Sequence, residues 1–510
     1  MKNQAYSLGL NQRFTNSLSE CCIDAHALDF PHPKLVYINH DLMSDFKNAF
    51  PESGDELARL FSGQQLPIDA KPVAQAYAGH QFGHFNPQLG DGRAMTIGEL
   101  ENSQSKLFEL DFKGSGPTPF SRGGDGKAAL GPMLREVLIS EAMAALGVPT
   151  TRSLAVTTTG ETVYRDPPQA GAVLARTAAS KIRIGTFQYF AAREQYDVLQ
   201  KLIDFCIERH FPNLRNKRQE QNDSNQTLTF LKESIAAQAK LVAKWMGLGF
   251  IHGVMNTDNM LISGETIDYG PCAFMDTYDP KTVFSSIDRN SRYAYMNQPA
   301  VAQWNLSRFA ETLLPLIAKE QDDAASSGEE HQRDRAIELA TEAVQDFIPQ
   351  YESAFREVMC NKLGLKQSMS GDIADEIIAQ WQGILLDQKL DWTQAHVYLT
   401  QILLSKQKLT GDLTLVAKCQ NPEPMLAWLA LRHKHSVESA ETMESINPVV
   451  IPRNHLVEEA LSLAQKTGDL SAFTALLASV QQPFTWPDDI KYTQAAPPAF
   501  NEDFMTFCGT

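Results

Sequence analysis

The feature that most restricts how this chain can fold is a change in the spacing of its apolar residues. Residues 86 to about 185 are rich in glycine and contain short runs in which apolar and polar residues alternate, as in strands. In KLFELDFKG (106–114) this alternation places Lys113 on the polar face of a strand. After about residue 190, apolar residues recur every three or four positions, as in helices. These patterns predict an α+β fold with a β-rich first part and a helical second part.

Several individual elements can be predicted within this outline. MLREVLISEAMAAL (133–146) has helical spacing and is followed by Gly147, a helix stop signal. TTTGETVYR and GAVLARTA are predicted strands, the first with a turn at its glycine. Further helices are predicted for the run from Leu228 to Trp245, which ends at Gly247 and Gly249, and for residues 337–355, 374–387, 393–405 and 454–480, with an extended tail at 483–499.

Length and composition limit the class of protein. A chain of 510 residues has room for two to four domains at about 150 residues each. The 61 acidic and 45 basic residues give a net charge of −16, which disfavours a nucleic-acid partner because phosphate binding depends on clustered Lys and Arg. The chain has no run of about 18 apolar residues and no hydrophobic signal core, so we expect a cytoplasmic protein without membrane contact. Seven scattered cysteines match neither a disulfide framework nor a zinc pattern.

The segment HGVMNTDN (252–259) has the length and the end residues of the catalytic loop of protein kinases. In the kinase pattern an Asp accepts the proton of the attacking hydroxyl, and an Asn five residues later binds a metal. His252 and Asn259 are present, but Val254 occupies the position of the catalytic Asp. Asp258, in the same loop, is the nearby carboxylate that could accept a proton. If the base is displaced, the attacked phosphorus is expected to be displaced as well.

A second motif, nine residues after Asn259, offers another oxygen ligand. In TIDYGPCAF, Asp268 precedes an aromatic residue and a glycine, which fits the D-F-G position of kinases. Asn and Asp side chains that converge from adjacent loops can hold Mg²⁺ between phosphate oxygens, because this cation prefers oxygen ligands and keeps several waters. Asn259 and Asp268 are therefore the predicted metal ligands.

The strand that carries Lys113 is followed by a helix with two glutamates. In kinases the strand Lys grips phosphates while a Glu on the next helix holds it in place. Glu136 is predicted to be this partner, with Glu141 as the competitor. About 140° of helix rotation separates the two, so only one of them can face Lys113.

Glycine-rich stretches and arginines in the β-rich part suit a phosphate ligand. Gly90 and Gly92 let the backbone approach a phosphate closely, although neither QLGDGRAMTIGEL nor GGDGKAA has the spacing of a dinucleotide or P-loop motif. Guanidinium groups bind phosphate oxygens in pairs and keep their charge, so several suit a triphosphate or a pyrophosphate leaving group. The arginines in question are Arg93, Arg122, Arg176 and Arg183.

The histidines of GHQFGHF are four residues apart, as in some metal-binding helices. Gly83, which lies between His80 and His84, disfavours a helix, and neither a carboxylate nor a third His follows at a useful spacing. A metal-binding pair is therefore not predicted.

Four long motifs together resemble the SelO (selenoprotein O) family of pseudokinases, and the likeness extends from about residue 60 to the C-terminus. They are YAGHQFGHFNPQLGDGRA, LDFKGSGPTPFSRGGDGKAALGPMLREVLISEAM, HGVMNTDNM and IDYGPCAFMD. Members of this family are protein adenylyltransferases that bind ATP reversed relative to kinases and transfer AMP to Ser, Thr or Tyr hydroxyls of other proteins. The resemblance implies a bilobal, protein-kinase-like fold with ATP as substrate and Mg²⁺ as the metal, although Mn²⁺ stays open. Its partners would be protein substrates, with self-modification as the easiest signal to observe.

The resemblance also implies roles for individual residues. Asp258 would accept the proton, Asn259 and Asp268 would carry the metal, and Glu136 would hold Lys113. Nucleotide contacts would come from Gly90, Gly92, Arg93, Lys113, Asp125, Gly126, Arg176, Arg183 and Asp268.

The family likeness further implies a pair of redox-active cysteines. Its members carry a Cys or selenocysteine near the C-terminus, and Cys508 occupies that place. Cys272 lies two residues after Gly270. A disulfide between the two cysteines would tie the tail over the active site.

The implied organisation has four parts: an N-terminal extension packed on the body (1–70), a kinase-like N-lobe that binds phosphate (71–190), a helical C-lobe with both loops (191–482) and a C-terminal tail (483–510). Two other functions stay open at the level of sequence. One is phosphoryl transfer, as in a kinase with a relocated base. The other is a non-catalytic nucleotide-binding scaffold, which Val254 would make natural.

Overall fold

The computed structural model describes residues 6–214, 225–320, 328–405, 413–435 and 440–507. Its strands are, in chain order, β1 (Cys22–Asp24), β2 (Lys34–Ile38), β3 (Val73–Gln75), β4 (Gly79–Gln81), β5 (His84–Asn86), β6 (Ala94–Glu101), β7 (Leu107–Lys113), β8 (Ala128–Ala129), β9 (Arg152–Val163), β10 (Gln169–Ala178), β11 (Phe250–Ile251) and β12 (Ala273–Phe274).

The helices lie mostly in the second half of the chain. They are α1 (Arg13–Ser17), α2 (His40–Asp45), α3 (Gly54–Phe61), α4 (Leu130–Ala145), α5 (Ile184–Ala191), α6 (Tyr196–His210), α7 (Gln226–Leu248), α8 (Gln298–Lys319), α9 (Glu329–Gln345), α10 (Phe347–Leu363), α11 (Gly371–Asp387), α12 (Trp392–Leu404), α13 (Thr414–Ala417), α14 (Glu423–His435), α15 (Ala440–Glu444), α16 (Asn454–Thr467), α17 (Ser471–Val480) and α18 (Pro498–Asp503). None of the helices in the described ranges combines the length and the hydropathy that a membrane crossing requires.

One antiparallel sheet organises the first part of the chain. Its strands follow the order β1-β3-β6-β7-β10-β9-β2, and β8 also pairs with β10. The edge strands β1 and β2 come from the first 70 residues, whereas the central strands β6, β7 and β10 come from the glycine-rich region. The mixed α/β character predicted from the apolar spacing is therefore confirmed.

Helix α4 connects the sheet to the far end of the chain. Its apolar residues pack on β9 and β10 in one direction and on α16 and α17 in the other, in one shared core that includes Leu134, Leu138, Leu456 and Leu476. The much larger core of the helical part surrounds α7 and includes Leu231, Val242 and Trp245. The helices predicted around these residues are thus present.

Several details differ from the sequence prediction. The run predicted to be helical over 454–480 divides into α16 and α17 around Gly468, and the tail predicted to be extended at 483–499 contains a 3-10 turn at Ile490–Thr493. The glycine of TTTGETVYR does not form a turn: Gly160 has a φ of +78°, and the register of β9 against β10 shifts there, so the strand bulges and continues to Val163. The apolar run 337–355 is broken at Asp346, where α9 ends and α10 begins. The bulge in β9 and the break at Asp346 are both local and leave the neighbouring elements in place.

Candidate active site

A cleft of about 570 Å³ lies where the loops after β11 approach strands β6, β7 and β10. Its volume is in the usual range for small-molecule sites. The predicted nucleotide and metal residues meet in this cleft. Its lining includes Gly90, Gly92, Arg93, Lys113, Arg122, Asp125, Gly126, Glu136, Arg176, Arg183, Asp258, Asn259 and Asp268.

Strand β7 and helix α4 bring together the predicted pair of Lys113 and Glu136. Lys113 Nζ donates to Glu136 Oε2 at 2.6 Å, and both side chains are buried. Glu141 faces elsewhere, because its carboxylate binds the guanidinium of Arg152 at 2.7 Å. The face of β7 that carries Lys113 is polar but not exposed, since Glu109 and Asp111 on the same face are also buried. The strand therefore presents charge to the interior of the molecule.

Three cations converge on the carboxylate of Asp268. Lys113 Nζ lies 2.8 Å and Arg176 Nη1 2.9 Å from its Oδ1, and Arg183 Nη1 lies 3.3 Å from its Oδ2. Burial alone would raise the pKa of Asp268, but these three positive charges outweigh it and hold the pKa well below its ordinary value. The carboxylate therefore stays ionised, and it neutralises cations that an anionic ligand could also engage.

A second layer of charge lies behind these cations. Lys181 is buried between two carboxylates, donating to Asp91 Oδ2 at 3.0 Å and also to Asp111. Asp111 Oδ2 in turn accepts a bond of 2.9 Å from Arg176 Nε, and Arg183 Nη2 lies 3.6 Å from Asp91. The two arginines are therefore held from behind as well as from the cleft, which fixes their orientation.

Asp258 has an environment unlike that of Asp268. It lies in a 3-10 turn, Thr257–Asn259, and is 7% exposed. Gln81 Nε2 donates to its Oδ2 at 3.2 Å, whereas its Oδ1 is buried without a hydrogen-bond partner in the described residues. Burial raises the pKa of Asp258 to about 6, with a smaller opposing effect of Arg183. A carboxylate with a free oxygen in a cleft can accept a proton from a ligand.

The loop around Asp258 is fastened by the β4–β5 hairpin and by α5. Thr257 Oγ1 accepts from the His80 backbone N–H at 2.7 Å and donates to Gln188 Oε1 at 2.7 Å. Asn256 Oδ1 accepts from the Phe82 N–H at 3.1 Å. His252 is buried, and its Nε2 donates to the Ile267 carbonyl, 3.0 Å away. These contacts tie the 252–259 loop to the hairpin above it and to the segment before Asp268.

The same hairpin settles the arrangement of the two histidines. His80 is on β4 and His84 on β5, so the pair does not share a helix face. His80 Nδ1 lies 2.8 Å from Gln188 Nε2. The expectation that Gly83 prevents a helix between these two histidines is therefore confirmed.

The donor set in the cleft fits a magnesium ion. Asn259 Nδ2 donates to the Val254 carbonyl at 3.0 Å, which leaves its amide oxygen as the atom it can offer to a cation. Asp268 supplies a carboxylate that lines the same cleft. In the described part of the chain no group of three or more His, Cys, Asp or Glu residues could hold a metal. Two protein oxygens with phosphate and water completing the shell are what Mg²⁺ sites commonly use.

The glycine-rich segments form the outer wall of the cleft. Gly90 has a φ of +72° and lies against the ring of Phe120, where a Cβ would be 2.1 Å from a ring carbon, so only glycine fits. Asp125 is exposed, and Arg165 grips its carboxylate through two bonds of 2.9 and 3.0 Å. Arg165 also lines the cleft.

Of the two cysteines in the implied redox pair, Cys272 lies in the described residues and Cys508 does not. Cys272 is buried, and its carbonyl accepts a bond of 2.7 Å from Arg135 of α4. Cys508 lies outside the described residues. Thr506, two residues before it, donates through Oγ1 to the Pro271 carbonyl at 2.6 Å. The described end of the tail therefore reaches the residue next to Cys272.

Sequence reasoning missed several residues that shape this site: Gln81, Asp91, Arg165 and Lys181. Asp91 stands between the two glycines of LGDGR, and Lys181 precedes Arg183 by two positions in KIRIG. A charged residue beside predicted phosphate ligands was the available signal for both. Gln81 and Arg165 carry no such signal, because hairpins that are remote in sequence bring them to the cleft.

A cleft that combines buried cations, a buried carboxylate and two oxygen ligands is typical of enzymes that transfer phosphate-containing groups. The chain matches the family model described as protein adenylyltransferase SelO over residues 4–481. It therefore belongs to the SelO family and is an enzyme, a nucleotidyltransferase.

Similar proteins agree with this assignment over almost their whole length. A protein nucleotidyltransferase YdiU from Chromobacterium violaceum is 48% identical over 489 residues, covering 94% of this chain and 97% of that protein. Relatives with the same name from Cereibacter sphaeroides and Pelagibacter ubique are each 45% identical, over 507 residues (98% of this chain and 99% of that protein) and 482 residues (94% of each).

Proposed function

We propose that this enzyme transfers AMP from ATP to Ser, Thr or Tyr hydroxyls of proteins and releases pyrophosphate. The observation that carries the proposal is the presence, in one cleft, of a buried carboxylate with an unpartnered oxygen and a separate group of three buried cations. The first is suited to accept a proton, and the second to receive the negative charge of a polyphosphate. The names of the family and of its relatives support both the nucleotide and the protein acceptor.

The fold proposed for this chemistry is bilobal and protein-kinase-like, with an N-lobe at residues 71–190 and a helical C-lobe at 191–482. The antiparallel sheet, the Lys113–Glu136 pair and the two loops that follow α7 support it. In a kinase the same parts hold ATP between the lobes. The departure from that pattern is Val254, which stands where a kinase has its proton acceptor.

We further propose that ATP binds in the reversed orientation, with its β- and γ-phosphates against Lys113, Arg176 and Arg183. These cations are buried, and they form ion pairs with Asp268 that phosphate oxygens could take over. Gly90, Gly92, Arg93, Asp125 and Gly126 would contact the nucleotide from the outer wall of the cleft. The α-phosphorus would then lie on the side of Asp258. A complex with an ATP analogue whose terminal phosphate lay beside Asp258 would contradict this orientation.

Mg²⁺, held by Asn259 and Asp268, would neutralise negative charge on the phosphates when bound. Side chains of the cleft would accept the proton and stabilise the leaving group. Asp258 Oδ1 would take the proton of the acceptor hydroxyl as its oxygen attacks the α-phosphorus. An O–P bond forms, the bond between the α-phosphorus and the bridging oxygen breaks, and pyrophosphate leaves with that electron pair. Lys113, Arg176 and Arg183 would stabilise the charge of the leaving group.

The position of a radioactive label in ATP tests the reaction directly. Incubation of the enzyme with α-labelled ATP should label protein, including the enzyme itself, whereas γ-labelled ATP should not. Label transferred from the γ position, or from neither position, would contradict AMP transfer.

Two substitutions test the assigned roles. Asp258→Asn should lower the rate of transfer by roughly 10² to 10⁴ because the proton acceptor is lost. Asp268→Asn should lower it further, since the metal ligand and the partner of three cations are lost together. Asp488→Asn, on an exposed carboxylate of the tail, is the matched control and should leave the rate unchanged. An Asp258→Asn enzyme with the wild-type rate would exclude Asp258 as the base.

The pairing of Cys272 with Cys508 remains a proposal of its own. The contact between Thr506 and the Pro271 carbonyl supports it, because it brings the tail next to Cys272. Peptide mapping under non-reducing conditions should find the two cysteines in one linked peptide after mild oxidation. Two separate peptides with thiols after that treatment would contradict the disulfide.

A further inference from the structure

A second cavity, of about 700 Å³, adjoins the active-site cleft. Phe82 and Ile287 line both, so the two form one continuous depression. We call the second cavity the flanking groove and define it by Phe82, Ile287, Arg289, Arg292, Ala300 and Trp304. No role in nucleotide binding falls to this region, because the phosphate and metal residues all line the other cavity.

The flanking groove has the composition of a protein-binding surface. Ile287 is 50% exposed, although it is a large apolar residue. The guanidinium of Arg292 lies 4.7 Å from the centre of the half-buried Trp304 ring, and that of Arg308 lies 5.3 Å from the same centre. Tryptophan and arginine are enriched at protein interfaces, where they contribute much of the binding energy.

The charge of the groove is opposite to that of the molecule. Arg289 is exposed, and Arg292 Nε has no hydrogen-bond partner among the described residues. Asp288 also lines the groove, but its carboxylate is buried and accepts the backbone N–H groups of Arg292 and Tyr293 at 2.9 and 2.8 Å, so the two arginines outnumber the single acid. A positive patch on a chain of net charge −16 attracts acidic ligands and repels basic ones.

The groove is also fastened to the loop that carries Asp258. Tyr293, next to Arg292, donates through its hydroxyl to Asn256 Oδ1 at 2.6 Å. On the other side, the rings of Trp304 and His80 are in contact with centres 5.3 Å apart, and the His80 N–H bonds to Thr257. A chain bound in the groove would therefore be held at a fixed position relative to Asp258.

We propose that the flanking groove binds an extended, acidic segment of the protein substrate, adjacent to the hydroxyl that is modified. This inference rests on the proposed function. An apolar side chain of that segment packs on Ile287 and Trp304, and its Asp or Glu residues pair with Arg289 and Arg292. The hydroxyl then reaches the cleft past Phe82.

Two synthetic peptides test the groove by direct binding. Both contain one Ser followed by a Leu, and they differ only in carrying four Glu or four Lys residues after it. Fluorescence anisotropy with the full-length chain and an ATP analogue that cannot be cleaved at the α-phosphate should show at least about tenfold tighter binding of the acidic peptide at low salt. The preference should shrink as salt is added, because Arg289 is exposed and its charge is screened.

Charge reversal identifies the residues responsible. Arg289→Glu combined with Arg292→Glu should abolish or invert the preference, while Arg289→Lys combined with Arg292→Lys should keep most of it. Arg333→Glu, on an exposed arginine of α9 outside the groove, should bind both peptides as the wild type does. Equal binding of the two peptides by the wild type, or a preference that survives the double charge reversal, would overturn the inference.

A transfer assay on the same peptides separates this inference from the proposed function. Preferential binding of the acidic peptide without transfer of label from α-labelled ATP would support the groove and contradict AMP transfer to it. Label transferred equally to both peptides would support AMP transfer and contradict the groove. Faster labelling of the acidic peptide, lost on double charge reversal, supports both.

Discussion

Asp258 depends for its position on a residue that has no side chain. Gly79, at the start of β4, lies so close to it that a Cβ would be 2.7 Å from Asp258 Oδ1 and 3.1 Å from Asp258 Cβ. Gln81, two residues further along β4, donates to the other carboxylate oxygen. One short strand therefore sets both the space and the hydrogen bonding of the proposed base.

Gly79→Ala should reduce AMP transfer by about 10²-fold, because an ångström of displacement of a reacting group can have an effect of that size. ATP binding should be retained, since the cations proposed to engage the phosphates do not touch Gly79. Steady-state kinetics and nucleotide binding measured on the same preparation would check this. Gly383→Ala, where the added methyl meets nothing within 4 Å, is the control. An unchanged rate in Gly79→Ala would mean that the exact place of Asp258 does not matter.

Lys362 shows the cost of burying a charge without a counter-ion. It is 3% exposed on α10, and burial lowers its pKa from 10.5 to about 7. His396 of α12 is close enough that the charge of Lys362, after burial, also lowers the pKa of the imidazole. Below pH 7 Lys362 is protonated in the folded and in the unfolded chain. The folded state is then destabilised by the full cost of the buried charge. Between pH 7 and 10.5 only the unfolded chain is protonated, and the free energy of unfolding therefore rises with pH.

Lys362→Met should consequently stabilise the protein more at pH 6 than at pH 9. One pKa unit corresponds to about 1.4 kcal/mol, so the gain should be about 5 kcal/mol at pH 6 and about 2 kcal/mol at pH 9. Urea unfolding at the two pH values measures the difference. Lys366→Met, at an exposed lysine four residues away, should show little change at either pH. A gain that does not depend on pH would indicate an effect of packing and not of charge.

At the scale of elements, the helix that carries Glu136 is supported from both sides. The sheet lies on one side of α4, and α16 and α17 lie on the other. Arg135 strengthens the second contact, since it donates to Glu458 of α16 at 2.8 Å and to the Gly270 carbonyl at 3.1 Å. Helices near the end of the chain thus hold both the partner of Lys113 and the segment that follows Asp268.

Phe473→Ala tests how much α17 contributes. Phe473 is buried, and its ring contacts that of Tyr37 with centres 6.1 Å apart. Its truncation should lower the free energy of unfolding by about 3 to 5 kcal/mol, through lost burial and the cavity left behind. Tyr164→Ala, at an aromatic residue that is 82% exposed, should have little effect. Equal loss in the two variants, measured by denaturant unfolding, would contradict a shared core between α17 and α4.

At the scale of the whole molecule, one buried arginine joins three regions that are remote in sequence. Arg453, just before α16, has Nη1 at 2.5 Å from Asp276 Oδ1 and 2.7 Å from Asp391 Oδ2. Asp276 follows β12, and Asp391 precedes α12. Asp276 also accepts the backbone N–H of Ala496, at 2.9 Å, from the tail. The guanidinium of Arg453 therefore connects the start of α16 with the segment after β12 and the start of α12, and Asp276 adds the tail to this network.

Arg453→Met should lower the free energy of unfolding by about 3 to 5 kcal/mol, because it leaves two carboxylates buried without their cation. Lys491→Met removes an exposed partner of Asp489 and should leave stability almost unchanged, since water screens that pair. Thermal and denaturant unfolding of both variants would check the contrast. A small loss in Arg453→Met would mean that Asp276 and Asp391 gain water or protons when the arginine is removed.

The residues of the site were predictable from sequence to different degrees. Lys113 and Glu136 could be paired because the kinase pattern predicts a strand Lys held by a Glu of the next helix, whereas helical periodicity alone left Glu136 and Glu141 as the two candidates. Asn259 and Asp268 could be found because their motifs are short and continuous. Gln81 could not, since it acts on a carboxylate 177 residues away in the chain. The bulge at Gly160 escaped prediction because a glycine with positive φ serves a turn and a bulge equally well.

The amino-acid sequence by itself determined the α+β character, most of the helices and strands and many of the groups that meet in the cleft, because periodicity and motif spacing are local properties. Only the tertiary structure decided that the polar face of β7 is buried, that three cations share Asp268, and that α16 and α17 support α4. Ion pairs and packing contacts depend on which residues are close in space. Residues that are remote in sequence become close only when the chain folds.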